Sequence, residues 1–253
     1  SGLAIGCRQN IYVLTDDPMV DTAQLLPLSD TVGIVGPNAY CHAANKALFF
    51  FAYDGLYRLQ PNDYNVDKNE RVSLGRLDKE FSQIDHGTYT IQMVYDHILF
   101  GVHIFLISVN QPSLPVKQYF YDDRNDSFWP IEYPEAVGPS YGYYYTSPNL
   151  NDRAMLFGGF DGYIRNSSDT AKDDDGVVID SSVWVGPIFA TELSENKLMK
   201  LAAVLDNDSS VVNYSVYVGD TIESARSSTP VITSYWNSGR NPWHYTRARG
   251  SFI

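Results

Sequence analysis

Short runs of apolar and aromatic residues recur along the whole chain, separated by clusters of Gly, Pro, Asn and Asp. This spacing is typical of many short strands joined by turns. It predicts strands at 10–14, 31–35, 47–52, 56–59, 88–95, 98–108, 116–121, 127–132, 141–146, 154–158, 162–165 and 211–220. Only the segment 193–205 also fits one face of a helix, and we favour a strand there because 211–220 alternates cleanly after it. The pattern therefore predicts an all-β protein.

An internal repeat gives more detail about the architecture. The segment FFAYDGLYR (50–58) aligns with FGGFDGYIR (157–165) at a constant offset of 107 residues. Each copy predicts a hairpin, because Asp-Gly supplies the positive φ angles that a two-residue turn requires. The segment YFYDDRNDSFWPIEYP (119–134) adds a further strand, turn and strand between the copies. Repeated hairpins of this kind predict the four-stranded blades of a β-propeller, at about 40–50 residues per blade. The offset of 107 residues would then correspond to two blades.

The composition of the sequence changes after Arg165. Residues 166–176 are polar and acidic, which predicts a long exposed connection. The alternating strands beyond it predict a separate, small antiparallel β-sandwich. We therefore divide the chain into a β-propeller-like region at 1–180 and a C-terminal sandwich at 181–253. The first region is too short for six or seven blades, so either some blades lie outside this chain or the propeller is a partial one.

Composition and charge narrow the possible functions. The chain has 18 Lys and Arg against 30 Asp and Glu, a net charge of −12, and it contains no basic run of five or more residues. Such a charge repels phosphate backbones and disfavours nucleic-acid binding. The sequence contains no stretch of 18 consecutive apolar residues, so it predicts no membrane-spanning segment. The aromatic share of 14%, with 19 Tyr, favours strands and a tyrosine-rich surface.

The chain termini and the two cysteines concern the origin of the protein. The first residues, SGLAIGCRQN, lack the features of a secretory signal and do not begin with Met, so we expect a processed piece or an internal segment of a longer protein. Cys7 and Cys41 belong to no metal-binding motif. We interpret them as two free, buried thiols of a protein made in a reducing compartment, with a disulfide as the alternative.

Two acids are the strongest catalytic candidates. Asp54 and Asp161 occupy equivalent places in the repeat, as expected of the acid and the nucleophile of a propeller glycosidase. The alternative, which we favour, is that each is the first residue of an Asp-Gly turn. The sequence contains no GxSxG, P-loop or GxGxxG motif. We therefore predict no enzyme, no catalytic or cofactor-binding residue and no cofactor.

Two further groups of residues bear on metal binding. Asp173, Asp174 and Asp175 precede Gly176, but the spacing of a calcium loop fails at Ala171 and Ser182. An exposed acidic loop is the favoured interpretation, with adventitious calcium as the alternative. The histidines show no ligand spacing, and His97 and His103 are expected about 20 Å apart on one strand; the five are His42, His86, His97, His103 and His244. We predict no metal site.

Aromatic clusters suggest binding surfaces. Four tyrosines lie close together in sequence, and they either stack on sugar rings or, as we favour, alternate between core and interface; they are Tyr141, Tyr143, Tyr144 and Tyr145. Two tryptophans lie among arginines, either facing an acidic neighbour or forming a solvated edge; this group is Trp236, Trp243, Arg240, Arg247 and Arg249.

The order of these motifs resembles a known family. The segments 32–59, 119–134 and 154–189, with the ending RARGSFI (247–253), are similar to the β-propeller virion proteins that form the hub or nozzle of short phage tails. In that family an apolar strand leads to an Asp-Gly hairpin, a Trp-bearing strand, a second hairpin and an acidic loop that opens a β-sandwich.

The resemblance implies a virion tail protein, assembled in the host cytoplasm as a homo-oligomeric ring around the genome-exit channel. It implies contacts with other tail or connector proteins, and DNA only as transiting cargo that an acidic wall repels. The alternative function is a carbohydrate-binding or glycan-cleaving propeller used in host attachment.

Overall fold

Antiparallel strands dominate the fold of this protein. The computed structural model describes residues 3–60, 70–110, 117–134, 138–168, 170–171, 173–186 and 196–251. These segments contain twenty strands, with α-helices only at α1 (Asp78–Phe81) and α2 (Ile222–Ser227). The prediction of an all-β chain is therefore confirmed, although neither short helix was predicted. Among the described residues, no helix has both the length and the apolar character needed to cross a membrane.

The chain separates into two compact units, Ser1–Ile179 and Asp180–Ile253. The first unit contains sixteen described strands: β1 (Leu3–Gly6), β2 (Ile11–Leu14), β3 (Leu25–Ser29), β4 (Tyr40–His42), β5 (Leu48–Ala52), β6 (Gly55–Leu59), β7 (Glu70–Arg71), β8 (Tyr89–Asp96), β9 (Gly101–Ser108), β10 (Lys117–Asp122), β11 (Ser127–Ile131), β12 (Pro139–Tyr145), β13 (Ala154–Gly159), β14 (Ile164–Asn166), β15 (Asp173–Asp174) and β16 (Val177–Val178). A short 3-10 helix, Leu150–Asp152, precedes β13.

These strands form successive antiparallel meanders. Sheet 1 consists of β1–β3, sheet 2 of β4–β7, sheet 3 of β8–β11 and sheet 4 of β12–β14, while β15 and β16 form a separate hairpin. In every sheet, strands that follow one another in the chain are also hydrogen-bonded neighbours. Each sheet can therefore form from local hairpins, as the strand–turn–strand pattern of the sequence predicts.

Sheet 2 is buried on both faces, and its sequence explains why. Strand β5 reads LFFFA, with all five residues buried. Phe49 and Phe51 join a core shared with sheet 3, whereas Phe50 joins one shared with sheet 1. Since each fully buried phenylalanine contributes about 1.5–3 kcal/mol of transfer free energy, this strand is a major source of stability for the unit.

Sheet 3 continues the same arrangement. Its strand β9 directs Ile104 toward sheet 2, while Phe105 packs with Met155 and Phe157 of sheet 4. The four sheets are therefore stacked face to face in chain order. The first strands of sheets 2, 3 and 4 approach one another, because β8 contacts both β4 and β12.

The predicted strand at 31–35 is wrong. That segment is irregular, and the strand that completes sheet 1 is β3 instead. Ile34 donates its amide hydrogen to the carbonyl of Cys7, and Val35 donates to Phe51, so the segment bonds to two different regions. The Ile34 side chain packs against the cores on both sides of sheet 2. A segment that serves two sheets in this way cannot pair continuously with one strand.

The predicted long connection at 166–176 is also only partly right. It contains β15, which pairs with β16 through a two-residue turn at Asp175-Gly176. Both turn residues have positive φ, 55° and 88°, as a type I′ hairpin requires. The acidic segment is thus a short hairpin on the surface of the first unit.

The second unit is smaller and holds two two-stranded antiparallel sheets. Its strands are β17 (Asn196–Leu201), β18 (Val212–Val216), β19 (Ile232–Trp236) and β20 (His244–Gly250), with β17 paired to β20 and β18 to β19. The ring of Tyr214 stacks on Trp236 of its own sheet at 4.2 Å, and its hydroxyl lies 2.8 Å from Nδ1 of His244 in the other sheet, so this side chain joins the two sheets. The preference for a strand over a helix is confirmed for 196–201, while 193–195 lie outside the described residues.

Candidate functional site

Asp54 lies in the β5–β6 turn and is held by ionic and hydrogen bonds. The hydroxyl of Tyr57 donates to its Oδ2 at 2.8 Å, and Nη1 of Arg71 lies 3.1 Å from the same oxygen. Arg71 also donates to the main-chain carbonyl of Asp54. The turn itself is Tyr53-Asp54, and only Gly55 has a positive φ, 145°. The predicted Asp-Gly turn is therefore shifted by one residue here.

Asp161 has a different local geometry in the second repeat. It lies in the longer loop between β13 and β14, where Arg165 binds both of its carboxylate oxygens at 3.1 and 2.5 Å. The same guanidinium reaches Asp175 at 2.8 Å, which ties the β15–β16 hairpin to sheet 4. These hydrogen bonds from Arg165 lower the pKa of Asp161.

In both copies of the repeat, the arginine at the end of the motif forms ion pairs with two acids. Arg58, which aligns with Arg165, also bridges two acids, lying 2.5 Å from Glu70 and 2.7 Å from Asp123. Asp123 follows β10 of sheet 3, so this arginine links sheets 2 and 3. Asp54 and Asp161 are engaged with arginines in separate hairpins, an arrangement that serves the turns rather than a shared reaction centre.

No metal-binding group is found in the described part of the chain. Among those residues, no cluster of three or more His, Cys, Asp or Glu side chains has the geometry to hold an ion. Oδ1 of Asp173 accepts a hydrogen bond from the Gly176 amide, and Asp175 is paired with Arg165. Asp173 thus stabilises its own hairpin, and Asp175 links that hairpin to β14 of sheet 4.

The predicted separation of His97 and His103 along one strand is wrong. His97 lies in the β8–β9 turn, between the rings of Tyr95 and Tyr144 at 5.0 and 4.6 Å. His103 is buried in β9 and stacks obliquely on Phe120 at 4.8 Å. The remaining histidines lie apart from this pair: His42 on β4, His86 beside Tyr53, and His244 in the second unit.

A buried polar group at the β8–β9 turn was not predicted. Asp96 is only 1% exposed, and its Oδ1 accepts hydrogen bonds from the amides of Ile98 and Leu99 at 2.7 and 3.0 Å. Its Oδ2 lies 3.4 Å from Nε2 of His103. Burial acts to raise the pKa of Asp96, but the hydrogen bonds from His103 and the two amides outweigh it and lower that pKa. The sequence signal that could have predicted this group is an acidic residue at the end of a strongly apolar strand.

The tyrosine cluster separates by alternation along β12. Tyr144 faces sheet 3, whereas Tyr141, Tyr143 and Tyr145 are 50%, 56% and 46% exposed on the opposite face. Gly142 lies against Val94 and Met155, where a larger side chain would collide. The predicted alternation of this strand is therefore confirmed, and it leaves three tyrosines on the surface about 7 Å apart.

The two tryptophans of the second unit have unlike environments. Trp236 is half-buried against Tyr214, while Trp243 is 56% exposed and lies 4.1 Å from the Lys200 ammonium group. The two tryptophans of the predicted group therefore differ in exposure, and Trp243 contacts a lysine that is remote in sequence.

The two cysteines also differ. Both are free, as predicted, but only Cys41 is buried, and Cys7 is exposed. Burial raises the pKa of the Cys41 thiol far above its ordinary value, so this thiol is unreactive in the native state.

Comparison with protein-family models and with curated proteins finds no match for this chain.

Proposed function

We propose that this protein is a non-enzymatic structural component of a bacteriophage tail. It assembles from several copies into a hub- or nozzle-type ring, through which the genome leaves the virion. The observation that carries the proposal is the stack of four consecutive meander sheets, packed face to face in chain order, with the first strands of sheets 2, 3 and 4 adjacent. This is how the blades of a β-propeller are arranged, and it supports the family resemblance of the sequence.

The chemistry of the described residues supports a structural role. The two acids at equivalent repeat positions both form ion pairs with arginines of neighbouring strands, Asp54 with Arg71 of β7 and Asp161 with Arg165 of β14. A general acid requires a raised pKa, whereas the pKa of Asp161 is lowered. Side chains engaged in this way stabilise hairpins.

The distribution of charge supports DNA as passing cargo. The first unit carries 12 Lys and Arg against 23 Asp and Glu, a net charge of −11, whereas the second unit carries 6 against 7, a net charge of −1. The negative charge is thus concentrated in the first unit. Such a surface repels phosphate groups and would keep DNA from adhering during transit.

Oligomeric state tests this proposal. Sedimentation velocity from 1 to 50 μM, roughly the range of weak to moderate protein association, together with negative-stain imaging, should show ring-shaped oligomers. Monomers at every concentration would contradict the proposal. Contacts with other tail or connector proteins are expected only once such rings exist.

The alternative function, glycan binding in host attachment, has one observation in its favour. The exposed ladder of Tyr141, Tyr143 and Tyr145 on β12 offers flat aromatic surfaces of the kind that stack on sugars. Glycan-array binding that is lost in Tyr143→Ser would support this alternative. A glycan-cleaving activity that survives in Asp54→Asn and Asp161→Asn would show that these acids do not carry it.

A further inference from the structure

The outer face of sheet 4 is apolar and uncovered by the described residues. Cross-strand pairing places Tyr141 beside Gly158 and Ile164, and Tyr143 beside Leu156 and Asn166. Ile164 is 75% exposed, in addition to the three half-exposed tyrosines of β12. None of the side chains in these cross-strand rows is charged, although 19% of the chain is.

The outer face of sheet 1 has the same character at the opposite end of the stack. One row consists of Leu3, Leu14 and Leu25, and the next of Ile5, Tyr12 and Pro27. Leu3 and Leu25 are 61% and 55% exposed. This face also lacks charged residues, so the stack ends in an apolar surface on both sides.

Inside the unit, faces of this composition are always covered by the next sheet. The contact between sheets 3 and 4 joins Val94, Phe105 and Ile107 to Met155 and Phe157. The outer faces therefore have the chemistry of internal sheet contacts without the covering sheet. Exposed apolar patches of a few hundred Å² are often surfaces for interaction with another molecule.

We propose that the outer face of sheet 4 in one copy packs on the outer face of sheet 1 in a second copy. This inference rests on the proposed assembly of several copies, and it names the surfaces that make the contact. A head-to-tail contact is favoured because each sheet in the unit uses opposite faces for its two neighbours, so a second copy added in the same sense continues the stack. Contacts of this heterologous kind close into rings when the rotation per copy permits.

The size of the two faces fits such a contact. An aromatic side chain buries about 150–250 Å², so three half-exposed tyrosines alone supply about 300 Å². The exposed aliphatic residues of both faces raise the total to roughly 700 Å², which is the size of a small, reversible protein–protein contact. Tyrosine hydroxyl groups at its edge can remain hydrated, which suits a surface that must also be soluble before assembly.

The test uses one charged variant on each face. Tyr143→Glu alters sheet 4, Leu25→Glu alters sheet 1, and Leu74→Glu is the matched control, since Leu74 is 62% exposed but lies on neither face. Each face variant should raise the dissociation constant of the oligomer at least about tenfold, because an unpaired charge would have to be buried. The control should assemble like the wild type. Circular dichroism checks that each variant folds, and the milder Tyr143→Ser and Leu25→Ser replace any that does not.

Mixing the two face variants determines the direction of the contact. Each retains one intact face, so a head-to-tail contact predicts that the equimolar mixture forms a 1:1 heterodimer that neither variant forms alone. If the Leu25 variant still self-associates, its intact sheet 4 face must contact a second sheet 4 face. If the Tyr143 variant still self-associates, its intact sheet 1 face must contact a second sheet 1 face. Either result overturns the inference, as does wild-type assembly of both variants, while leaving the proposed ring function in place. A wild type that never associates would overturn both.

Discussion

Replacement of Asp96 tests whether a buried carboxylate holds the β8–β9 turn of sheet 3. Asp96→Ala removes the acceptor of two amide hydrogen bonds, from Ile98 and Leu99, and the partner of His103. Because the two amides are only partly shielded from water, we expect a loss of about 2–3 kcal/mol in the free energy of unfolding. Asp96→Asn retains one oxygen that can accept both amide bonds, but it loses the charge and places an NH2 group in the position of Oδ2, opposite His103. The expected loss is about 1 kcal/mol.

The pH dependence of this loss is a second, independent measurement. The pKa of Asp96 is lower in the native state than its ordinary value of 3.8. Its stabilising contribution is therefore complete above pH 3.8 and declines as the pH falls through the native pKa. The difference between wild type and Asp96→Asn should accordingly shrink as the pH is lowered below 3.8.

Urea denaturation followed by circular dichroism, at neutral pH and at a series of acidic pH values, provides both quantities. An Asn variant that is as unstable as the Ala variant would refute the role assigned to the two amide bonds. A difference between wild type and Asn variant that does not change with pH would refute the role assigned to the charge.

Three further predictions concern the core, a turn and the thiols. Phe51→Ala should lower the free energy of unfolding by about 3–5 kcal/mol in urea denaturation, because it empties a fully buried site between sheets 2 and 3; a loss below 1 kcal/mol would contradict that packing. Gly55→Ala should cost about 1–3 kcal/mol in thermal melts, since φ is 145° there and the new methyl group would meet the Ser73 hydroxyl; an unchanged melting temperature would be inconsistent with this turn. Ellman's reagent should modify Cys7 at once and Cys41 only after denaturation; equal rates in the native protein would show that Cys41 is not buried.

Much of the local structure could be predicted from the sequence. Alternation and turn residues located the two central strands of sheet 2 and all the strands of sheets 3 and 4 to within a few residues, whereas β4 and β7 were not predicted. The repeat identified two hairpins. These features depend on neighbours along the chain, so a linear pattern contains them. The two-residue Asp-Gly turn predicted for both repeats occurs instead at Asp175-Gly176, because Asp-Gly permits such a turn without deciding where strand pairing ends.

The candidate surfaces depended on the tertiary structure. The sequence showed that Tyr141, Tyr143 and Tyr145 share a face, but not whether a further sheet covers it. The same holds for Leu25, whose strand was not predicted, and for Cys7, which was expected to be buried and is exposed. Burial depends on which sheet packs against which, and that involves residues far apart in the chain.

The sequence by itself determined an all-β chain of local meanders, since hydrophobic alternation and turn chemistry act over a few residues. Only the tertiary structure decided that four of these sheets stack in chain order and that both ends of the stack remain apolar and open. The physical reason is that a strand has two faces, and its sequence specifies their polarity but not their partners.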